Sequence, residues 1–460
     1  MNTSSSTDWR HYLPKVESLA NSLGLSFNPV DFEAVPQSFM MEISVYGLPV
    51  RMPHWSFGVR YIYQLIQHRM GNSRLFEVVF PGNPGHAYLA QNNSTAENVL
   101  VTAHVLGHAD FSRNNMLFKR AQEQVSEHIV EHAANHARQI ALAIEEYGLQ
   151  RVEAVLDAAL SLEQHIDCNH AVRRPRYPEY EPPRALPRDD QFAKRFAALT
   201  PFDELDNQGQ MHRKRAAIPP HPEKDLLWFI AQYAPELEGW ERDIFLAVRE
   251  ESFYFYPVFA TQIMNEGWAS YWHARLLREA DFLPQSAYVD AIKCHSDVVK
   301  PYAPEQHIAL QINPYHLGFT MWEKIVERDG IEAARNIMKQ DDDFSFVRNY
   351  LDENLADELQ LFKFNAQSDG KIEVVESKLA DLHEAMLAPK YNFGAPTIAA
   401  SHVHIDGSLD LLHDYKSDGR GLDPDRANKV LDYIYRVWRR PIVLHTIDQD
   451  GAPLELKKHH

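Results

Sequence analysis

The chain has 460 residues, 45% of them hydrophobic and 24% charged, with 46 basic against 64 acidic side chains and a formal charge of −18. That length suffices for two or three domains around a large core. The charge argues against a general nucleic-acid or anionic-membrane binder, which needs a basic face for phosphates, but leaves room for a local basic patch. Two cysteines, Cys168 and Cys294, allow one disulfide and no disulfide framework. Without a CxxC pair, a thiolate zinc site is not expected. The opening MNTSSSTDWRHYLPKVE lacks the apolar core of a signal peptide, and no apolar run approaches the roughly 20 residues of a membrane span. The expectation is a cytoplasmic protein. His459 and His460 are terminal and are set aside.

In chain order, Leu13, Val16, Leu19, Ala20 and Leu23 recur at helical spacing and predict a helix over 8–24. FMMEISVYGLPVRMP reads as extended, a helix is predicted from about Gly58 to Met70, and LFEVVF (75–80) reads as a short buried strand ended by PGNPG. Ser94 and Glu97 have capping-box spacing and open a helix that carries His104 and His108. Further helical patterns run over 116–147 and 150–165. Residues 170–224, with RRPRYPEYEPPRALPRDD, read as an Arg/Pro-rich surface insertion. Helices return at 226–234, 240–256 (bent or broken by Pro257), 261–282 and through 283–345. LQLFKFNAQ and KIEVVES predict strands, RANKVLDYIYRVWRR a helix and PIVLHTID a closing strand. The fold class expected is mainly α (α+β). An N-terminal α+β region spans 1–90, a helical core with a His/Glu cluster 91–345, and a small α+β region 346–460.

His104 and His108 stand four apart, so on a helix both imidazoles share a face and can reach one ion. Metalloproteases use this spacing in HExxH, with a Glu beside the first His as base; here that position is Val105. Asp110 is a candidate ligand or a partner that orients an imidazole. In NEGWASYWH, Glu266 and His273 are seven apart and share a helix face with Ser270. Buried among aromatic neighbours, such a pair needs a partner or a metal. A plain Glu–His hydrogen bond holding two helices is the competing reading. Glu250 and Glu251 follow an apolar helix face, and Glu251 is a candidate for the same site. Glu163, His165 and Asp167 end another helical pattern. His128, His132 and His136 form a row at four-residue spacing, which for His128 and His132 reads as a solvated face.

The blocks HWSFGVRY, AHVLGHADFSRNN, LSLEQHID, REESFYFYPVFATQIMNEGWASYWH and INPYHLGF together resemble the SpoVR family, named for a stage V sporulation protein, over about residues 10–455. The resemblance singles out His104, His108, Asp110, Asn114 and Asn115, then His136, then Glu163, His165 and Asp167, and then Glu250, Glu251, Glu266, Trp268 and His273. It implies a link to spore-cortex formation in spore formers alone. It also implies a gene association with a serine-kinase-like AAA+ protein and a von Willebrand-type protein, but no settled activity.

The leading functional expectation is a metal-dependent hydrolase of an amide-containing substrate, tied to sporulation, cell-envelope or stress physiology. The divalent metal, zinc first, would be held by His104, His108, Glu266 and His273, with Glu251 or Glu266 as general base. Asp110, His136, Glu163, His165 and Glu250 would support it or hold a second ion. A dinuclear iron or manganese enzyme is the second expectation, although the ExxH repeats of ferritin-like bundles are absent. A non-enzymatic regulatory or scaffold protein in a kinase-linked stress pathway is the third.

Overall fold

A computed structural model describes residues 9–69, 76–125, 128–169, 177, 217–300, 313–361, 363–366, 372–375, 378–448 and 450–459. The Arg/Pro-rich insertion expected at 170–224 lies largely outside the described residues. Helices dominate, with small mixed sheets toward both ends, so the class is mainly α (α+β) as expected. The chain divides into two compact units, Met1–Leu142 with Glu250–Gly394, and Ala143–Arg249 with Ala395–His460. Among the described residues no helix is long and apolar enough to cross a membrane. Cys168 and Cys294 are both free thiols.

The first unit is built on three helices, Thr95–Asn114, Gln262–Glu279 and Pro314–Asp329. The first opens with the expected capping box: the Ser94 side chain accepts the Glu97 N–H, and the Glu97 carboxylate accepts the Ser94 N–H at 2.6 Å. The second is fixed at its start by Asp343, whose two carboxylate oxygens accept the N–H groups of Ile263 and Met264 at 2.9 Å each. Trp268, Trp272, Trp322, Phe111 and Phe346 are fully buried between these helices, with Trp268 edge-on to Trp322 at 4.9 Å. Two close approaches depend on small residues. A Cβ at Gly107 would stand 2.7 Å from Ala269 Cα, and one at Gly267 2.3 Å from the backbone of Gly318. Larger residues there would push the helices apart, and Glu266 sits beside one of these contacts.

Strand β1 (Val30–Val35) pairs parallel with β3 (Gly85–Ala90), and β2 (Glu77–Phe80) pairs antiparallel with β3. The reading of LFEVVF as a strand holds, while β1 and β3 escape sequence reading. The segment read as extended at 37–52 is instead a helix, Gln37–Tyr46, entered at Pro36 and closed by Gly47 at φ 78°. Its apolar run is too short for periodicity to separate strand from helix. The single long helix expected at 116–147 is two, Met116–Gln124 and Ile129–Tyr147. Pro257 lies inside an unbroken helix, Gly239–Ala260. The break comes at Thr261, whose N–H and hydroxyl both donate to the Pro257 carbonyl, at 3.1 and 2.6 Å. The strands β4 (Lys363–Ala366) and β5 (Ile372–Val375) form an antiparallel pair.

In the second unit, β6 (Ile398–Val403), β7 (Leu409–His413), β8 (Ile442–Ile447) and β9 (Pro453–Lys458) form one sheet in that order. The strand read as closing, PIVLHTID, is therefore interior, parallel to β7 and antiparallel to β9. The expected helix over RANKVLDYIYRVWRR runs from Pro424 to Trp438 and packs on Leu149–Ser161 and on β9.

Candidate metal centre

His104 and His108 project from the Thr95–Asn114 helix toward Glu266 on the Gln262–Glu279 helix. One carboxylate oxygen, Glu266 Oε2, stands 3.4 Å from His104 Nε2 and 3.4 Å from His108 Nε2. Among the described residues, these three form the group of His, Cys, Asp or Glu side chains whose donor atoms converge closely enough for one ion. His104 Nε2 and Glu266 Oε2 are buried and make no hydrogen bond. Buried polar atoms are seldom left unpaired, so converging orphan donors suit a cation.

The far side of each imidazole is occupied. His108 Nδ1 is 2.8 Å from Asn265 Oδ1. The amide oxygen only accepts, so Nδ1 carries the proton and Nε2 keeps its lone pair toward Glu266. His104 Nδ1 is 2.9 Å from His273 Nδ1, and His273 Nε2 is 2.5 Å from His295 Nδ1. Protons at His104 Nδ1 and His273 Nε2 satisfy both bonds and again leave His104 Nε2 free to ligate. Tyr315 stacks over His104 with ring centres 6.0 Å apart.

Electrostatics follow this geometry. Burial pushes His104 down, and the neighbouring His108 adds to this. Burial also opposes charge on His108, but the Glu266 carboxylate outweighs it and the net shift is upward. Glu266 is held well below the usual carboxylate range: burial acts the other way, and His108 and His104 overcome it. Burial pushes His273 far down, and pushes His295 down to about 4.

Three residues not singled out from the sequence complete the surroundings: Glu77, Asn265 and His295. Glu77, in β2, lies 3.9 Å from His104 Nε2. Burial, with Glu266 nearby, pushes it up to about 7. A lone carboxylate in the apolar run LFEVVF was the available signal. Asn265 was readable only as the residue before Glu266. His295 carried no signal at all. A small cleft opens beside His104, lined by Phe76, Glu77, Leu100, Val101, His104, His273, Cys294, Val298 and Tyr315; neither His108 nor Glu266 lines it.

The other expected site residues lie elsewhere. His273, expected to ligate, is on the Nδ1 side of His104, opposite Glu266, and orients the ring instead. Asp110 orients no imidazole: it accepts from Ser26 N–H at 2.7 Å and Trp268 Nε1 at 2.9 Å, bracing a loop and a core indole. Glu251 and Glu250 belong to a network of their own. Glu251 Oε2 accepts from Arg51 Nε at 2.5 Å, and its Oε1 is 3.7 Å from His136 Nδ1. Glu250 binds His136 Nε2 at 3.3 Å and His132 Nδ1 at 2.6 Å. His132 is thus paired rather than simply solvated, while His128 is exposed. Glu163, His165 and Asp167 fall in the second unit, where burial pushes His165 down to about 4 and Asp167 accepts the Asn169 N–H.

The family described as SpoVR like protein matches residues 4–392. A relative named "Uncharacterized protein YcgB", from Escherichia coli (strain K12), is 28% identical over 481 aligned residues, covering 96% of this chain and 92% of that protein. No solved structure matches.

Proposed function

The chain belongs to the SpoVR-like protein family, and from that premise we propose that it is a metal-dependent hydrolase of an amide-containing substrate, centred on His104, His108 and Glu266. One observation carries the reading: a single buried carboxylate oxygen stands 3.4 Å from two imidazole nitrogens whose opposite nitrogens are already bonded. Three protein donors with room for a fourth suit catalytic zinc, which when bound supplies Lewis acidity and a water of lowered pKa. Asn265 and His273 hold the two ligating rings in orientation. Glu77 is the carboxyl placed to take and return a proton, the role assigned above to Glu251 or Glu266. Phe76, Leu100, Val101 and Val298 give the cleft beside His104 apolar walls. We take the setting as cytoplasmic and the pathway as envelope or stress physiology, with the kinase-like AAA+ and von Willebrand-type proteins as its candidate partners.

Two histidines and one carboxylate are also the donor set of mononuclear iron(II) enzymes. Among the described residues a second ion has no comparable group of three converging donors: Glu250 pairs with His132 and His136 and Glu251 with Arg51, while His136 Nδ1 and Glu251 Oε1, 3.7 Å apart, make no hydrogen bond. Elemental analysis of protein purified without an affinity tag tests both versions. One equivalent of zinc is expected, lost on changing His104→Ala with His108→Ala; one equivalent of iron selects the oxidative reading. Protein that holds no metal and takes none up on dialysis defeats both.

A further inference from the structure

The Trp55–Arg69 helix is apolar on two sides. Its inner side is fixed: Phe57 is fully buried with its ring edge-on to Tyr46 at 5.2 Å, and Gln64 accepts from the Ser44 hydroxyl at 2.6 Å. Its outer side is a stripe of large apolar residues in water. Trp55, Val59, Ile62, Tyr63 and Ile66 are 53%, 59%, 60%, 64% and 49% exposed. At about 100° per residue these five positions fall within roughly 100° of the helix circumference. Single exposed apolar residues are ordinary, but a contiguous row of five on one helix marks a surface that something covers.

The charge around the stripe identifies what covers it. From Ile43 through Phe76 the chain contains no Asp or Glu, but it contains Arg51, Arg60, Arg69 and Arg74. Arg51 is engaged by Glu251, and Arg60 is exposed beside the stripe. In a chain with 64 acidic residues, this window is a local reversal of sign. Screening over about 8 Å at physiological ionic strength keeps the remote acids from cancelling it. The surface is a ridge and not a groove: a Cβ added at Gly58 would meet nothing within 4 Å. An apolar ridge with Trp and Tyr among its members, exposed Arg60 at its flank and no carboxylate in its own stretch of chain is the pattern of a helix lying in the headgroup layer of an anionic membrane. A bilayer accepts such a ridge without a complementary pocket.

We propose that the outer face of the Trp55–Arg69 helix docks reversibly on an anionic lipid surface. The test is sedimentation of the full chain with vesicles of phosphatidylcholine alone or of equal parts phosphatidylcholine and phosphatidylglycerol. Binding is expected only to the phosphatidylglycerol vesicles, and it should weaken as salt rises. Ile62→Asp combined with Ile66→Asp should reduce binding by roughly tenfold or more. Arg60→Gln should reduce it by roughly fivefold, since a basic residue near such a surface contributes about 1 kcal/mol. Both changes fall on exposed positions, so the thermal midpoint should stay put, which separates lost docking from lost folding. The proposal is overturned if the wild-type chain ignores the anionic vesicles, or if the double variant binds as well as wild type. It is equally overturned if light scattering shows a wild-type dimer that the double variant breaks, because the face would then join two copies of the chain.

Discussion

Two helices of the first unit each present histidines four residues apart to a glutamate on another helix, and they arrive at opposite chemistry. In the His104–His108 pair, both Nε2 atoms face the same oxygen of Glu266 at 3.4 Å, and neither that oxygen nor His104 Nε2 makes a hydrogen bond. In the His132–His136 pair, the carboxylate of Glu250 is divided, one oxygen 2.6 Å from His132 Nδ1 and the other 3.3 Å from His136 Nε2. The first arrangement leaves convergent lone pairs and a buried negative charge. The second is largely paired off, with Arg51 neutralising Glu251 behind it, and leaves only His136 Nδ1 and Glu251 Oε1 without hydrogen bonds, on two different side chains 3.7 Å apart. Spacing alone therefore does not decide whether two imidazoles converge on one atom. In the first pair the far-side nitrogens are bonded to Asn265 and His273, which turns both Nε2 atoms toward Glu266.

The largest expected effect breaks the comparison outright if it fails. At the proposed centre Glu266→Gln should take metal stoichiometry from the expected one equivalent to none, while Glu250→Gln should leave it at one. Elemental analysis of the two variants, prepared side by side, reads this directly. Equal loss from both would mean that the second pair also holds an ion or that both changes disrupt the fold, and circular dichroism tells these apart.

Next comes the ion pair behind the second cluster. Glu251 is fully buried and Arg51 nearly so, so Glu251→Leu strands a guanidinium in the interior. Loss of one partner of a buried pair costs about 3–5 kcal/mol. Urea unfolding should show a fall of that order, with metal content per folded molecule unchanged. A loss below about 1 kcal/mol would place Arg51 and Glu251 with ordinary surface pairs.

How much of this was legible in the sequence depends on what each signal encodes. The His104 helix was readable because its start and its ligand spacing are both local: Ser94 and Glu97 mark the cap, and four residues make one turn. Glu266 was readable as a carboxylate among aromatics. The place of His273 beside His104 Nδ1 was not legible, because a seven-residue spacing says only which face of its own helix it shares with Glu266. It says nothing of how the His104 ring inserts between the two side chains. Glu77 was hidden because β2 reaches the site only through its pairing with β3, a contact that local patterning does not encode. Met40, Met41, Ile43 and Val45 are all buried, and such two-sided burial removes the period that distinguishes a helix from a strand. The edge strand β9 failed for a related reason, since PLELKK is largely exposed and polar.

A smaller effect sharpens the contrast through pH. Burial opposes charge on His136, yet Glu250 and Glu251 together push its pKa up to about 9. An unfolded histidine titrates near 6.5. The raised value means that the folded state binds the proton more tightly. The resulting stability is complete below about pH 6.5 and is lost as pH climbs through about 9. Allowing for partial exposure, the contribution is ~1–2 kcal/mol. Urea midpoints measured across that range should fall in the wild type, and the fall should be shallower in His136→Gln. Parallel curves would mean that His136 carries no extra proton in the folded state.

The smallest effect ranks the members of the second cluster by exposure. The His132 side chain is 42% exposed and that of His136 12%, although His132 has the shorter contact with Glu250. If distance governed the energy, His132 would matter more. Water and counter-ions screen an exposed pair, however, and ordering its side chain costs entropy, so such pairs contribute about 0.2–1 kcal/mol. A double-mutant cycle of His132→Ala with Glu250→Gln should give a coupling at the low end of that range. The same cycle through His136→Ala should give a larger one, because the less exposed imidazole is held between two carboxylates. A larger coupling through His132 would reverse the ranking and show that the 2.6 Å contact persists in solution as a strong, ordered pair.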